Sequence, residues 1–396
     1  MTTFVHNDLD VSAANVVASG QPLYPAVERT SAVAAIANHA NPSPASAEQR
    51  AAIFADPGFG KYFTDNVVRA VWTKADGWHQ AEILSGSASA GGLGINALHY
   101  GQSIFEGLKA YRQADGGIYT FRPEANALRF QRSAHRLALP PVPTDLFIGS
   151  IEALVRQDQA WVPTDPDQSL YLRPLEFGSE DALGVRPSTH VTYVLMASPV
   201  GAYFPQGVKP VSVWLSDEYV RAAPGGTGEA KCAGNYASSL IAQAEASDNG
   251  CDQVVWIDAI ERKYIEEMGG MNMFFVYGSG SSARLLTPRL TGTLLPGVTR
   301  DSILTLARDL GYQAEEGTIT VEQWREGCAS GEITETFACG TAAVITPVGR
   351  VDSKNSGAWN VADGGSGEVT MKLRAALVDL QTGKAPDNHN WMHRIV

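Results

Sequence analysis

The stretch APGGTGEAKCAGNYASSLIAQ, from Ala223 to Gln243, sets one lysine, Lys231, among small uncharged residues, with Glu229 as the only other charge. A solvated loop lysine is one reading. An amine kept partly desolvated, and therefore a nucleophile toward a carbonyl, is a second. A nucleotide phosphate loop is a third, because glycines precede the lysine. That loop needs Gly directly before the Lys and Ser or Thr directly after it. Ala230 and Cys232 hold those places, so the pattern fails twice.

Outward from Lys231, VSVWLSDEYVRA alternates, with Val211, Val213 and Leu215 on one face of a strand. NYASSLIAQAEASDNG reads as a helix with Asn235 as its N-cap and Asn249-Gly250 as its stop. Lys231 thus falls in a loop between a strand and a helix. AVWTKADGWHQAEIL predicts a hairpin around Asp76-Gly77, GGIYTFR a strand, and PEANALRFQRSAHRLAL a helix from Pro123. QVVWIDA and MNMFFVYG are further strands, and Ile303, Leu306, Ala307 and Leu310 share one face of a helix from Thr299 to Leu310.

The resulting class is α+β, or mixed α/β, in two domains, without the regular βαβ alternation of a Rossmann sheet. Residues 1–55, rich in Ala, Ser, Asn and Pro, read as a loosely packed arm. Residues 56–198 form a smaller N-terminal domain, 199–210 a linker, and 211–396 a larger domain that carries Lys231.

The 396 residues are 44% hydrophobic and 18% charged, an ordinary globular balance. Acidic residues outnumber basic ones, 42 to 30, a formal charge of −12 that repels phosphate backbones and argues against a nucleic-acid partner. The four cysteines are scattered without a CxxC pair, which predicts free thiols and no metal site. The N-terminus has no basic region followed by an apolar core. The uncharged run Pro187–Val208 holds three prolines and two glycines, so it does not make a regular membrane helix. A cytoplasmic location is expected.

A Schiff-base lysine serving a pyridine-aldehyde cofactor needs three companions: an acid at the ring nitrogen, a hydroxyl near the phenolic oxygen, and N–H donors for a phosphate. Glu267, in YIEEMGGMNMFFV, is either that acid or a solvated strand-end carboxylate. Tyr236, in the first turn after Lys231, is either that hydroxyl or a core tyrosine. Val298 and Thr299 open a helix in LLPGVTRDSIL, where free N–H groups suit a phosphate, and CGTAA offers a second turn at Gly340 and Thr341.

Seven segments then converge. LHYGQSIFEGLKAYR, YLRP, PVGAYF, PGGTGEAKCAGNY, IEEMGGMN, LTGTLLPGVTRDSIL and ACGTAAVITPVG run from about Leu98 to Arg350. In that order they resemble the branched-chain amino acid aminotransferases, pyridoxal-phosphate enzymes of fold type IV. The resemblance implies transamination between branched-chain L-amino acids and 2-oxoglutarate, with Lys231 as Schiff-base lysine and proton carrier. It implies Glu267 at the pyridine nitrogen and Tyr236 on the phenolic oxygen. For the phosphate it implies Arg129, Thr299, Thr341 and the Val298 backbone.

For substrate, the resemblance puts the α-carboxylate at the Thr341-Ala342 turn and the side chain among Tyr100, Phe105, Tyr171 and Tyr203. Arg173 would take the distal carboxylate of glutamate. EDALGV resembles a loop that reaches a neighbouring site, so Leu183 and Val185 would come from the partner of a homodimer. The sequence departs from some relatives at Gly270, where they carry threonine. Ala343 and Thr346 stand where vertebrate relatives have a CxxC, so no thiol switch is expected there.

The alternatives within the fold are a D-amino acid aminotransferase and an aminodeoxychorismate lyase. HYGQSIFEG and YLRP favour the branched-chain reading. From other classes, a P-loop enzyme is weakened by Ala230 and Cys232, and a non-catalytic carrier by the intact set of Lys231, Glu267 and Tyr236.

Overall fold

A computed structural model describes residues 22–25, 36–86, 92–201 and 207–396. The strands β1 (Ala37–His39), β2 (Asn66–Thr73), β3 (Gly77–Ser85), β4 (Ser103–Phe105), β5 (Leu108–Arg112), β6 (Ile118–Phe121), β7 (Ser169–Gly178) and β8 (His190–Val200) belong to one sheet. Its order is β1-β3-β2-β8-β7-β5-β6, with β4 set against β7. The β2–β3 hairpin turns where the sequence predicts it. Gly77 sits at φ +69°, a conformation a side chain disfavours, and its partner across the hairpin is Thr73. One face is covered by the Pro123–Arg136 and Thr144–Gln157 helices, whose Phe130, Phe147, Ile151 and Leu154 bury against Val68, Leu170, Leu172 and Leu195.

The second sheet holds β9 (Val211–Leu215), β10 (Gln253–Ile257), β11 (Ile265–Met268), β12 (Met271–Tyr277), β13 (Arg284–Pro288), β14 (Gln313–Gly317), β15 (Ile333–Gly340), β16 (Val344–Ser353) and β17 (Gly357–Asn360). β11 pairs with both β10 and β12, so the path β11-β10-β9-β16-β15-β12 closes on itself. Antiparallel and parallel pairs are mixed in it, unlike a doubly wound parallel sheet. Phe274 and Phe337 stack at 5.0 Å on one face, beneath the Val298–Asp309 and Glu368–Gln381 helices. On another face Trp324 meets Phe275 edge-on.

The expected boundaries move in three places. Residues 36–55, though none of them is buried, form regular structure. β1 pairs in parallel with β3, and the Ala47–Ala55 helix starts on a Ser46–Gln49 capping box with Ile53 and Phe54 against the first core. Strand β8 runs through Pro199 to Val200, inside the segment read as a linker. Its β2 neighbour pairs only as far as Leu195, so the missing N–H of Pro199 breaks no ladder bond to β2. Finally, the chain end returns to the first sheet, where β18 (Met392–Arg394) pairs with β6.

Among the described residues no helix is long and apolar enough to cross a membrane, and no cluster of three or more His, Cys, Asp or Glu could hold a metal. The four cysteines are free and buried.

One residue violates the first core. Glu176 on β7 is fully buried, neither carboxylate oxygen has a hydrogen-bond partner, and burial pushes its pKa well above the ordinary carboxylate range. The folded protein therefore keeps Glu176 protonated where the unfolded chain ionises it, and stability falls as pH rises above the ordinary carboxylate pKa. Replacing it with leucine removes that cost. Glu176→Leu is expected to raise stability by about 1–3 kcal/mol at neutral pH, with a smaller gain near pH 4. Denaturant titrations at the two pH values check both the gain and its direction.

Candidate active site

Lys231 follows β9 in sequence yet is held by the first sheet. Its carbonyl accepts from Phe105 N at 3.0 Å, and neighbouring Cys232 forms a bridge with Ile104 of β4. Its own N–H donates to Ser133 Oγ of the Pro123–Arg136 helix at 2.9 Å. The lysine segment is thus an added edge of the first sheet. Its Nζ donates to Tyr236 Oη at 3.0 Å and lies 4.9 Å from the Phe105 ring centroid.

The helix after the lysine differs from expectation. It begins at Ala233 with Cys232 at the N-cap, and a break at Ser238-Ser239 separates it from the Leu240–Asp248 helix. Asn235 is no cap: its amide turns back and donates to the carbonyls of Thr227 and Ala230, both at 2.8 Å, while its oxygen accepts from Thr227 Oγ1. These bonds close the glycine-rich loop, which supplies too little apolar surface to hold itself.

Glu267 is buried on β11, not solvated. Oε1 accepts from Leu295 N at 2.6 Å and Asn272 Nδ2 at 3.1 Å, and Oε2 lies 3.0 Å from Arg221 Nε. Burial raises its pKa, against the pull of Arg221 and the Leu295 N–H. Arg221 is itself buried, anchored on the carbonyls of Gly228 and Thr293. Glu266, next in line, accepts from Thr293 Oγ1; burial raises its pKa, and its charge adds to the upward push on Glu267.

At the other end, Val298 and Thr299 begin the Val298–Asp309 helix, where the first N–H groups have no intrahelical acceptor. A small cavity reaches them, also lined by Lys109, Asn126, Gly340 and Thr341. Arg129 is close to this end but committed. Its Nε and Nη2 clasp Glu106 at 2.6 and 2.8 Å, and Nη1 donates to Pro296 O at 3.3 Å. Lys109 Nζ donates to the Ala342 carbonyl at 2.9 Å, and burial, with Arg374 nearby, pushes its pKa down to about 8.

The side-chain wall comes from paired strands. Arg173 stacks on Phe105 at 4.7 Å and donates to Tyr171 Oη at 3.1 Å. A side chain at Gly107 would strike that hydroxyl, a Cβ there falling 2.0 Å from it. Tyr100 does not join this wall. It is 42% exposed and its hydroxyl donates to the Leu183 carbonyl, so it belongs with the exposed Leu183 and Val185. Tyr203 lies outside the described residues.

Sequence reasoning missed Glu106, Lys109, Asn235 as a loop tie, Arg221 and Asn272. A lysine followed by apolar Ala110 and Tyr111 within a strand, as Lys109 is in LKAYR, was the available signal. Arg221, between Val220 and Ala222 in a loop, gave none.

The amino-transferase class IV family model matches residues 103–351. The branched-chain-amino-acid aminotransferase of Mycolicibacterium smegmatis is 57% identical over 90% of this chain and 97% of its own length. A crystal structure of the Escherichia coli branched-chain amino acid aminotransferase superposes with a TM-score of 0.68 at 30% identity, covering 83% of this chain and 99% of that one. The branched-chain amino acid aminotransferase of Thermoproteus uzoniensis, a thermophilic archaeon, crystallised with norvaline, gives 0.68 at 25% identity, covering 83% and 100%.

Arg221→Met would leave Glu267 buried without its cation. A loss of about 3–5 kcal/mol is expected. Adding Glu267→Gln should recover much of it, because the two residues act as one pair. A double-mutant cycle of unfolding free energies measures the coupling, and additive losses would mean that the pair is not coupled.

Proposed function

The chain belongs to the class IV aminotransferases, among the branched-chain-amino-acid aminotransferases, and we propose that it exchanges amino groups between branched-chain L-amino acids and 2-oxoglutarate with pyridoxal 5'-phosphate. The observation that carries this reading is the meeting of the Lys231 amine and the Tyr236 hydroxyl at 3.0 Å, on the wall built by Phe105 and Arg173. The donor set fits the cofactor: an amine, a hydroxyl beside it, a buried carboxylate with a buried counter-cation, and a helix start bearing a threonine. The bound cofactor supplies an aldehyde for amine attachment and a ring that stabilises negative charge at the substrate Cα.

Each residue then has a defined task. With the cofactor held there, Lys231 Nζ would be the group that carries the substrate Cα proton. Tyr236 orients that amine and the phenolic oxygen. Arg221 opposes the upward push of burial on Glu267, whose carboxylate would hold the ring nitrogen of the cofactor. Thr299, Thr341 and the Val298 N–H receive the phosphate. Arg129 would join them only through the part of its five-donor guanidinium that Glu106, Asn126 and Pro296 leave free.

The Thr341-Ala342 turn takes the α-carboxylate. Phe105 and Tyr171 provide apolar walls for a branched side chain, and Arg173 with the Tyr171 hydroxyl serves the distal carboxylate of glutamate. One pocket thus accepts both substrates.

Exposed Tyr100, Leu183 and Val185 support a homodimer in which this cluster completes the neighbouring subunit's site. Leu93 and Leu98, 87% and 65% exposed, add apolar surface that a partner would cover. Four unpaired thiols are compatible with a cytoplasmic enzyme.

Purified protein should show visible absorbance that borohydride abolishes, with the label on Lys231. Lys231→Ala is expected to bind the cofactor only noncovalently and to lose several orders of magnitude in turnover. Colourless protein, or near-normal turnover in that variant, would sink the reading.

Arg173→Met keeps length and apolar volume while deleting the cation. The leucine half-reaction should change little. The glutamate half-reaction should lose about 1–5 kcal/mol, the lower value applying if water bridges the contact. The two efficiencies are measured separately by single-turnover kinetics, and equal losses would mean that Arg173 only supports the wall.

A further inference from the structure

Tyr24 lies far outside the residues that match the family, yet it sits at the phosphate end of the site. Its ring is covered by two arginines of one helix region, Arg132 at 4.9 Å and Arg122 at 5.5 Å from the centroid. Its hydroxyl donates to the carbonyl of Pro296, the same oxygen that Arg129 Nη1 approaches at 3.3 Å. Leu23 beside it is buried with Leu290 and Leu294, and its carbonyl accepts from Arg132 Nη1 at 3.1 Å.

These contacts join two separate structures. Arg122, Arg129 and Arg132 belong to the Pro123–Arg136 helix and its N-cap, which pack on the first sheet. Leu290, Leu294 and Pro296 belong to the segment that leads from β13 into the Val298–Asp309 helix. Pro296 immediately precedes the N-cap Gly297, so its carbonyl lies next to the start of the helix. A second tie crosses the same seam, Arg122 Nη2 to Asp301 Oδ2 at 2.7 Å. Tyr24 touches both sides, through its face on one and its hydroxyl on the other.

We propose that Leu23 and Tyr24 strap the phosphate end of the site closed, making Tyr24 a positioning residue for cofactor retention. The inference rests on the reading that the Val298–Thr299 helix start receives the cofactor phosphate. Escape of a phosphate-bearing cofactor requires the helix start to separate from the Arg129 side. Tyr24 opposes that separation because opening strips it of either the two guanidinium contacts or the carbonyl bond. N–H donors held in place in advance also bind an anion without an ordering cost.

The test uses holoenzyme prepared with pyridoxal phosphate and transferred into inorganic phosphate as competitor, with loss of visible absorbance giving the dissociation rate. Tyr24→Leu removes ring and hydroxyl and should speed dissociation about tenfold. Tyr24→Phe keeps the ring and should restore most of the retention, with a rate about threefold above the parent. A second readout separates retention from general stability. The gap in melting temperature between holoenzyme and apoenzyme should narrow in Tyr24→Leu, because weaker binding contributes less to the folded state.

A parent-like dissociation rate in Tyr24→Leu overturns the proposal. So does an equal fall in melting temperature of both forms, which would make Tyr24 a general brace. Failure of the underlying reading has a different signature: the unaltered protein itself would bind no cofactor, whatever stands at position 24.

Discussion

The pairing of Lys231 and Cys232 with β4 is the constraint on which the site depends. Through it a residue from the second half of the chain is held by backbone bonds of the first sheet. The continuous row Tyr193, Glu176, Ile104 and Cys232 crosses β8, β7, β4 and the lysine segment. All four are buried, so the lysine cannot move without disturbing the first core. Side chains alternate across a sheet, and Phe105, Leu175 and Lys231 therefore face the opposite side from that row. The reactive amine stands on an open face while its backbone is part of a packed one.

Around this edge the charges are arranged in buried pairs. Glu106 with Arg129, and Glu267 with Arg221, each place a carboxylate against a guanidinium with almost no solvent. Such pairs gain little net stability over an apolar substitute, but breaking one leaves a charge with no solvation. Their value lies in direction. Arg221 is fixed by two carbonyls, so it presents its Nε to Glu267 in one orientation, and Leu295 N and Asn272 hold the other oxygen. Hydrogen bonds hold the carboxylate at Oε1 alone, while Oε2 meets the Arg221 guanidinium as an ion pair without a formed hydrogen bond.

The substrate wall follows another rule. Arg173 is half-buried and lies between two aromatic rings rather than against an acid. A guanidinium stacked on ring faces keeps its charge and some edge donors free. It can then serve an apolar guest as a flat surface and an acidic guest as a cation. Tyr100 shows the limit of the single chain, since it points its hydroxyl at the Leu183 loop and away from this wall.

The elements with strong local signals were legible in the sequence. The Asp76-Gly77 turn, the helix from Pro123 with its charged last turn, and the apolar face of the Val298–Asp309 helix follow from backbone preference and periodicity, which act over a few residues. Residue type alone left Tyr236 and Glu267 with two readings each, and the family resemblance singled them out beside Lys231; the structure brings Lys231 and Tyr236 within hydrogen-bond distance and buries Glu267. What the sequence left open is what depends on distant partners. Asn235 has the composition of a cap but ties a loop, residues 36–55 look unstructured but complete a sheet, and Met392–Arg394 cross back to β6. Arg221 and Glu267 are 46 positions apart, and Tyr24 and Pro296 are 272 apart. Local propensity carries no information over such separations, so which charge meets which, and which arm closes which end, was decided only by tertiary packing and by the need to pair every charge taken out of water.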